Sequence, residues 1–328
     1  MTAATMSSSR QSCAGLRPMN PRTDLGEVAD LIEATFDISA DPEGGRMIRD
    51  MRAFSRAGFF GWIMSYLLLT PSSYPRGFVW EESGKVVGNA SLLRVEGFPR
   101  RWVLANVAVH PEYRRRGIGR ELINASLDHV NRQGGEELLL QVESDNQTAQ
   151  VIYASLGMRP LGTYTSWVRT RGTSLSPFND TGSIRFRQQG EWKAQWELAK
   201  RLQPKGLIWP YPLSQSLFHQ PFWVRLAGQE NRNHLVLVEE GEMMGSLTLR
   251  YNQSRTTCRL VMLVAPEVQG EVESSLLNAA LVTTGSNTKV LMDYPAGTAV
   301  ETIKDLGFIA RRSLTWMYLN FRISKEFG

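Results

Sequence analysis

The feature that most constrains this chain is its repetition. "VWEESGKVVGNASLLR" (79–94) is echoed by "LVEEGEMMGSLTLR" (Leu237–Arg250). "VAVHPEYRRRGIGRELINASL" (107–127) is echoed by "MLVAPEVQGEVESSLLNAAL" (Met262–Leu281), and "YASLGMRPLGTYTSWVR" (153–169) by "IKDLGFIARRSLTWMYL" (Ile303–Leu319). Short amphipathic segments resemble one another by chance. Three matches in one order point instead to an internal duplication, with each copy forming its own layered domain. The length, 328 residues, suits two domains of about 150 residues each. The expected organisation is a disordered tail over 1–15, a first domain over 16–172, a Ser/Thr/Gly-rich linker over 173–190 and a second domain over 191–328.

Local patterns fill in the first copy. Leu25, Val28, Ala29, Ile32 and Phe36 keep helical spacing behind Asp24, a candidate cap. A second, more apolar helical region is expected over Gly44–Leu69. "FVWEESGKVVGNASLLRVE" reads as two strands turned at Ser83-Gly84, and "RWVLANVAVHP" as a third strand stopped by Pro111. An amphipathic helix then runs to Gly134-Gly135, "EELLLQV" is a buried strand, "NQTAQVIYASLG" a helix with a glycine C-cap, and "TYTSWVR" a last strand. The fold class is mixed α/β: two like domains, each a sheet flanked by helices.

Between the third strand and the amphipathic helix lies "YRRRGIGREL" (113–122). Glycines at a strand-to-helix turn let backbone approach a ligand closely. The helix start offers unpaired N–H groups and partial positive charge, and adjacent arginines add charge-assisted hydrogen bonds. That combination suits a pyrophosphate. A nucleic-acid surface would be more spread out and interleaved with aromatics, and a solvated basic turn is the plain alternative. No Gly-Lys-Ser/Thr follows, which excludes a Walker A loop, and no dinucleotide fingerprint is present. The formal net charge of +5 attracts anions without choosing among them. Cys13 and Cys258 are the only cysteines, too few for a disulfide framework or a zinc site. No secretory h-region opens the sequence. The longest apolar run, Ala57–Thr70, is shorter than the roughly 20 residues of a membrane helix. A cytoplasmic protein with no nucleic-acid, membrane or metal partner is expected, as monomer or homodimer.

Arg114-x-x-Gly117-x-Gly119 after "VAVHPEY", with Asn146, Ala149, Tyr153, Gly157 and Met158 spaced along the following helix, resembles the acetyl-CoA-binding signature of the GNAT family of N-acetyltransferases. The resemblance covers about Leu16–Arg169. It implies a mostly antiparallel mixed sheet that splays at the strand carrying "NVAV". It implies that Val107, Ala108 and Val109 pair through backbone with the pantetheine arm of acetyl-CoA. Arg114, Arg115, Arg116, Gly117, Ile118, Gly119 and Arg120 would hold the pyrophosphate. Asn146 would touch the pantetheine or adenosine portion, and Tyr153 would protonate the departing thiolate. The implied reaction is direct attack of an amine on the thioester. Each residue also has an ordinary reading: Tyr153 as core, Asn146 as a helix cap, one or two arginines as solvated surface.

A base for the amine is not evident. Some members of the family carry a glutamate on the "NVAV" strand, where Val103 stands here. Glu96, His110, Glu143 and Asp145 are the remaining candidates, beside a water chain. Phe59, Phe60, Trp62 and Tyr66 fall where members of the family contact their acceptor, or belong to the core. In the second copy "PEVQGEVESS" (Pro266–Ser275) lacks the arginines and carries Glu271 and Glu273. Ala296 stands for Asn146 and Ile303 for Tyr153. That copy is expected to be degenerate. A CoA-binding sensor without turnover is the alternative function.

Overall fold

The structure, a computed structural model, describes residues 15–36, 42–56, 76–95, 98–170, 184–202, 207–208, 211–212, 215–219 and 232–322. The aromatic run 59–66 and Glu96 lie outside them. The chain divides into two compact units: Met1–Gln141 with Gln147–Pro160 and Met317–Gly328, and Val142–Asn146 with Leu161–Trp316.

The first unit runs through β1 (Gly15–Pro18), α1 (Leu25–Thr35), α2 (Pro42–Arg56), β2 (Arg76–Glu82), β3 (Lys85–Val95), β4 (Phe98–Val109), α3 (Ile118–Arg132), β5 (Glu137–Glu143) and α4 (Gln147–Ser155). β1 to β4 are antiparallel neighbours, and β4 and β5 are parallel. Ser83 and Gly84 turn the β2–β3 hairpin with φ +53° and +75°, the positive pair that a two-residue turn needs to match strand twist. On one face Leu25, Val28, Ala29 and Ile32 of α1 pack with Ile48, Val79, Val86 and Ala108. α3 covers the other face. Gly88 lets it come close, because a Cβ there would stand 2.9 Å from Ile118 and 3.0 Å from Leu122.

Asp24 does not cap α1 with its side chain. Its carboxylate takes Arg17 at 2.6 Å and the Asn20 N–H at 2.7 Å instead. Burial pushes its pKa up, but the Arg17, Asn20 and Thr23 hydrogen bonds and the Arg17 charge outweigh that and hold the group below the usual carboxylate range.

The second unit contains β6 (Arg159–Arg169) from Leu161 onward. It adds β7 (Ile184–Phe186), α5 (Trp192–Leu202), the short pair β8 (Leu207–Ile208) and β9 (Tyr211–Pro212), and α6 (Gln215–Phe218). β10 (Arg232–Glu239), β11 (Glu242–Tyr251), β12 (Thr257–Val264), α7 (Glu273–Thr284), β13 (Lys289–Pro295), α8 (Val300–Asp305) and most of β14 (Ile309–Asn320) complete it. β12 and β13 are parallel, while β7, β10, β11 and β12 pair antiparallel in turn and β6 pairs antiparallel with β13. The repeat is therefore physical. Glu240 and Gly241 turn β10 into β11 with φ +49° and +86°, as Ser83 and Gly84 do. A 3₁₀ turn over Pro266–Val268 matches that over Pro111–Tyr113. Gly245, the counterpart of Gly88, admits Leu276 of α7 as close as Gly88 admits Ile118. Both units show the mixed, mostly antiparallel α/β architecture expected from the sequence.

Candidate functional site

In the first unit β4 pairs with β5 only through Arg101–Glu137, Trp102–Leu138 and Val103–Leu139. Beyond Val103, β4 keeps its partner β3 and its other edge opens, the splay the sequence implied. His110 N–H bonds Val87 O at 2.9 Å. By antiparallel alternation the N–H and C=O of Val109 then face the open edge. Arg114 Nε reaches Val109 O at 3.2 Å. The edge is open strand on which an extended ligand can pair, with the Val109 carbonyl already taking Arg114.

β4 leads through the 3₁₀ turn into α3. Arg115 (φ +64°) and Gly117 (φ +81°) are both left-handed and fold the chain back at the helix start. Gly117 is the N-cap and supplies no side-chain bond, so the amides of the first turn of α3 point outward with their dipole. A Cβ at Gly117 would meet nothing within 4 Å, and at Gly119 only Val109 Cγ2 at 3.7 Å. For Gly117 the backbone conformation, rather than crowding, therefore selects glycine.

Arg114, Arg115, Arg116 and Arg120 are exposed. Arg116 bonds Glu82 at 3.2 Å and lies over the Tyr113 ring at 4.9 Å, while Arg120 reaches Ser155 Oγ on α4 at 3.4 Å. The two helices that carry the motif thus meet.

Tyr153 of α4 is buried, at 8% exposure, and burial alone pushes its phenol up to about 12. At neutral pH it is a proton donor. Its carbonyl receives the N–H groups of Leu156 and Met158, and Gly157 (φ +84°) ends the helix.

The first unit contains Val107–Val109, the 114–120 turn and Tyr153, and the Arg120–Ser155 hydrogen bond links the helix of the turn to the helix of Tyr153. Asn146, exposed, falls in the short 142–146 segment of the second unit, as do the exposed Glu143 and Asp145. Val103 is buried apolar wall. His110 is partly exposed, edge-on to Tyr113, and its buried Nδ1 has no hydrogen-bond partner. Among the described residues no three His, Cys, Asp or Glu side chains converge to hold a metal, and no helix is long and apolar enough to cross a membrane.

Two features escaped the sequence reading. β4 carries a bulge: Asn89 opposes Ala108 and Ser91 opposes Ala105, leaving Asn106 and Val107 against Ala90. Asn106 stands at φ +52°, and the fully buried Asn89 donates Nδ2 to Asn106 O at 2.8 Å and to Ser91 Oγ at 3.1 Å. The only signal was a polar residue inside the apolar run "VVGNASLL".

The second feature is in the second unit. Glu273, 0% exposed at the first position of α7, accepts the Gly270 N–H at 2.8 and 3.0 Å and the Tyr294 hydroxyl at 2.7 Å. In the sequence Glu273 is simply one of two acids standing in place of the arginines. Ile303, fully buried, accepts the Phe308 N–H at 3.2 Å, as Tyr153 accepts that of Met158.

Comparison with known proteins agrees with this geometry. Residues 35–158 match the model of the acetyltransferase (GNAT) family. A 54-residue stretch is 41% identical to the [ribosomal protein bS18]-alanine N-acetyltransferase of Escherichia coli K12; it spans 16% of this chain and 36% of that protein. The chain covers little over a third of that relative. The fold aligns with a GNAT N-acetyltransferase from Sphaerobacter thermophilus over 93% of this chain and 95% of the other, with a TM-score of 0.61 at 14% identity. It also aligns with a tandem GNAT protein from the clavulanic acid biosynthesis pathway over 93% and 98%, with a TM-score of 0.53 at 16% identity. The match to the acetyltransferase (GNAT) family model lies within residues 35–158, a little over a third of the chain.

Proposed function

We propose that the first unit moves an acetyl group from acetyl-CoA to a primary amine, on a small molecule or a protein. The observation that carries this reading is the open edge of β4 running straight into a left-handed, arginine-flanked helix start. Val107, Ala108 and Val109 pair with the pantetheine arm as an added strand would. The amides of residues 117–120, with Arg114, Arg115, Arg116 and Arg120, hold the pyrophosphate. Asn146 contacts the pantetheine or adenosine portion.

The amine nitrogen attacks the thioester carbonyl carbon, and the oxyanion is stabilised by backbone N–H at Val109. The C–S bond then breaks. Tyr153 gives its proton to the departing sulfur, and the nitrogen loses one to water or to a base. The E. coli relative is a [ribosomal protein bS18]-alanine N-acetyltransferase, and alanine is a primary amine within this class. The second unit is a degenerate copy that binds no CoA. The protein works in the cytoplasm as monomer or homodimer.

Calorimetric titration of acetyl-CoA into the full chain tests this. One site per chain supports the reading, and two sites overturn the silent second copy. No binding sinks the acetyl-CoA assignment.

A further inference from the structure

The buried carboxamide of Asn89 is not explained by packing. The Asn106 carbonyl only accepts, so it fixes which end of the amide faces it; Nδ2 is spent on Asn106 O and Ser91 Oγ. The Oδ1 is left buried with no hydrogen-bond partner. A buried unpartnered carbonyl destabilises a fold. A chain selected for stability alone would place an apolar side chain here.

The second unit is an internal control. Its register places Ser246 and Thr248 of β11 where β3 has Asn89 and Ser91, three and five residues past Met243 and Val86 respectively. There the polar pair is closed: Gln195 of α5, fully buried, donates to Ser246 at 2.5 Å and to Thr248 at 3.1 Å, and itself accepts from Arg187 at 2.5 Å.

The strand alongside differs too. β12 pairs with β11 from Gly245–Val264 to Tyr251–Cys258 without a register shift. Cys258, Leu260, Met262 and Val264 pack in the α7-side core and Val261 and Leu263 in the α5-side core, an unbroken alternation. In β4 the alternation breaks. Trp102 faces His129 of α3, but so does odd-numbered Val109 face Gly119 of α3, while Ala108 faces the α1 core. The break is the Asn106 bulge. A bulge bends and twists its strand, and this one lies between the segment of β4 paired with β5 and the open-edged segment Val107–Val109. The carboxamide, the bulge and the arginine turn are present together in one unit and absent together from the other.

We infer that Asn89 is a positioning residue for acetyl-CoA. By holding the Asn106 carbonyl it fixes the left-handed bulge, and the bulge aims the open-edge Val109 amide at the thioester end of the cofactor. The inference rests on the acetyl-CoA reading of the first unit. It says that Asn89 serves the acetyl end and leaves the pyrophosphate end untouched.

The test compares acetyl-CoA with CoA, each titrated into the full chain. Asn89→Ser, the residue of the second unit, is too short to reach the Asn106 carbonyl. The wild type should bind both ligands. Asn89→Ser should bind CoA within about twofold of wild type and acetyl-CoA about tenfold more weakly, the size of one lost hydrogen bond. A further change, Asn106→Gly, makes positive φ free of steric cost. The double variant Asn89→Ser/Asn106→Gly should recover most of the acetyl-CoA affinity, which a general loss of packing would not allow. If Asn89→Ser weakens both ligands equally, or neither, or if Asn106→Gly recovers nothing, the inference is overturned. Failure of the wild type itself to bind either ligand would instead remove the acetyl-CoA reading, and Asn89's role with it. Should Asn89→Ser not fold, Asn89→Leu carries the same comparison, since its side chain keeps the volume and cannot donate to the carbonyl.

Discussion

Both units send a strand through a 3₁₀ turn into a helix, yet the two helix starts are occupied differently. At α3 the turn is left-handed at Arg115 and Gly117, rimmed by exposed guanidinium groups, and its amides are open to an outside anion. At α7 the chain supplies its own anion. The buried Glu273 carboxylate takes the Gly270 N–H that a phosphate oxygen would otherwise claim, and Tyr294 seals it from β13. Burial, then the Glu273 hydrogen bond and charge, push the Tyr294 phenol far up, so it remains a donor. Where the first unit has exposed arginines at this turn, the second has an internal carboxylate bonded to the backbone just ahead of its helix. The same turn is thus open in one unit and closed by a buried carboxylate in the other.

The sharpest break of that contrast is charge reversal at the open turn. Arg114→Glu/Arg116→Glu should weaken acetyl-CoA binding by about a hundredfold or more, since two charge-assisted hydrogen bonds become repulsions. The fold should be little affected, because both side chains are exposed and the Arg116–Glu82 pair is a surface one. Calorimetry alongside thermal melting checks both halves. An unchanged affinity would put the pyrophosphate elsewhere.

Next in size is Tyr153→Phe, the change that brings the first unit towards Ile303 of the second. With any amine that supports turnover, kcat should fall about a hundredfold while acetyl-CoA affinity stays within about twofold. The phenol is raised to about 12, so its protonated form persists across the neutral range. Its deprotonation would lower activity only as pH rises towards 12. A falling limb between pH 7 and 9 that vanishes in Tyr153→Phe would contradict this.

How much of this was legible before the structure depends on whether a feature is local. Hairpins at Ser83-Gly84, the Pro111 stop and the Gly157 cap were readable because each depends on residues a few positions apart. The arginine turn was readable because a glycine pair beside a strand and a helix has few uses. The splay of β4 came from resemblance and was not computed from the residues. Asn89 was invisible as a site residue because its meaning depends on Asn106, brought opposite by strand pairing. Asp24 looked like a cap, and only the fold put Arg17 beside its carboxylate. Glu273 is only an acid in the sequence, and only the fold puts the Gly270 N–H and the Tyr294 hydroxyl on it.

That buried network predicts stability. Glu273→Ala would leave the Gly270 N–H and the Tyr294 hydroxyl buried without their partner, at about 1–3 kcal/mol each. The melting temperature of the second unit should fall by about 5–15 °C, with acetyl-CoA affinity in the first unit unchanged. Tyr294→Phe removes one bond and keeps the carboxylate on Gly270, so its loss should be smaller. Equal melting of Glu273→Ala and wild type, followed by calorimetry, would mean that the internal anion stabilises nothing.

The smallest expected difference is in acid response. His234 of β10 opposes Thr248 and bonds its hydroxyl at 3.0 Å, whereas β2 has Gly77 in the same place, opposite Ser91. Burial, then the charges of Arg187 and Arg232, push the imidazole down to about 3 from an ordinary value near 6.5. The unfolded chain therefore binds a proton that the folded one refuses. The stabilisation is complete above pH 6.5 and is lost as pH falls from 6.5 towards 3, at about 1 kcal/mol per pH unit. Hydrogen exchange should show β10–β12 losing protection between pH 6.5 and 4.5 faster than β2–β4. His234→Asn, which keeps a polar partner for Thr248, should flatten that slope and change little at pH 7.5. If the two units lose protection in parallel, the acid sensitivity belongs to groups they share rather than to His234.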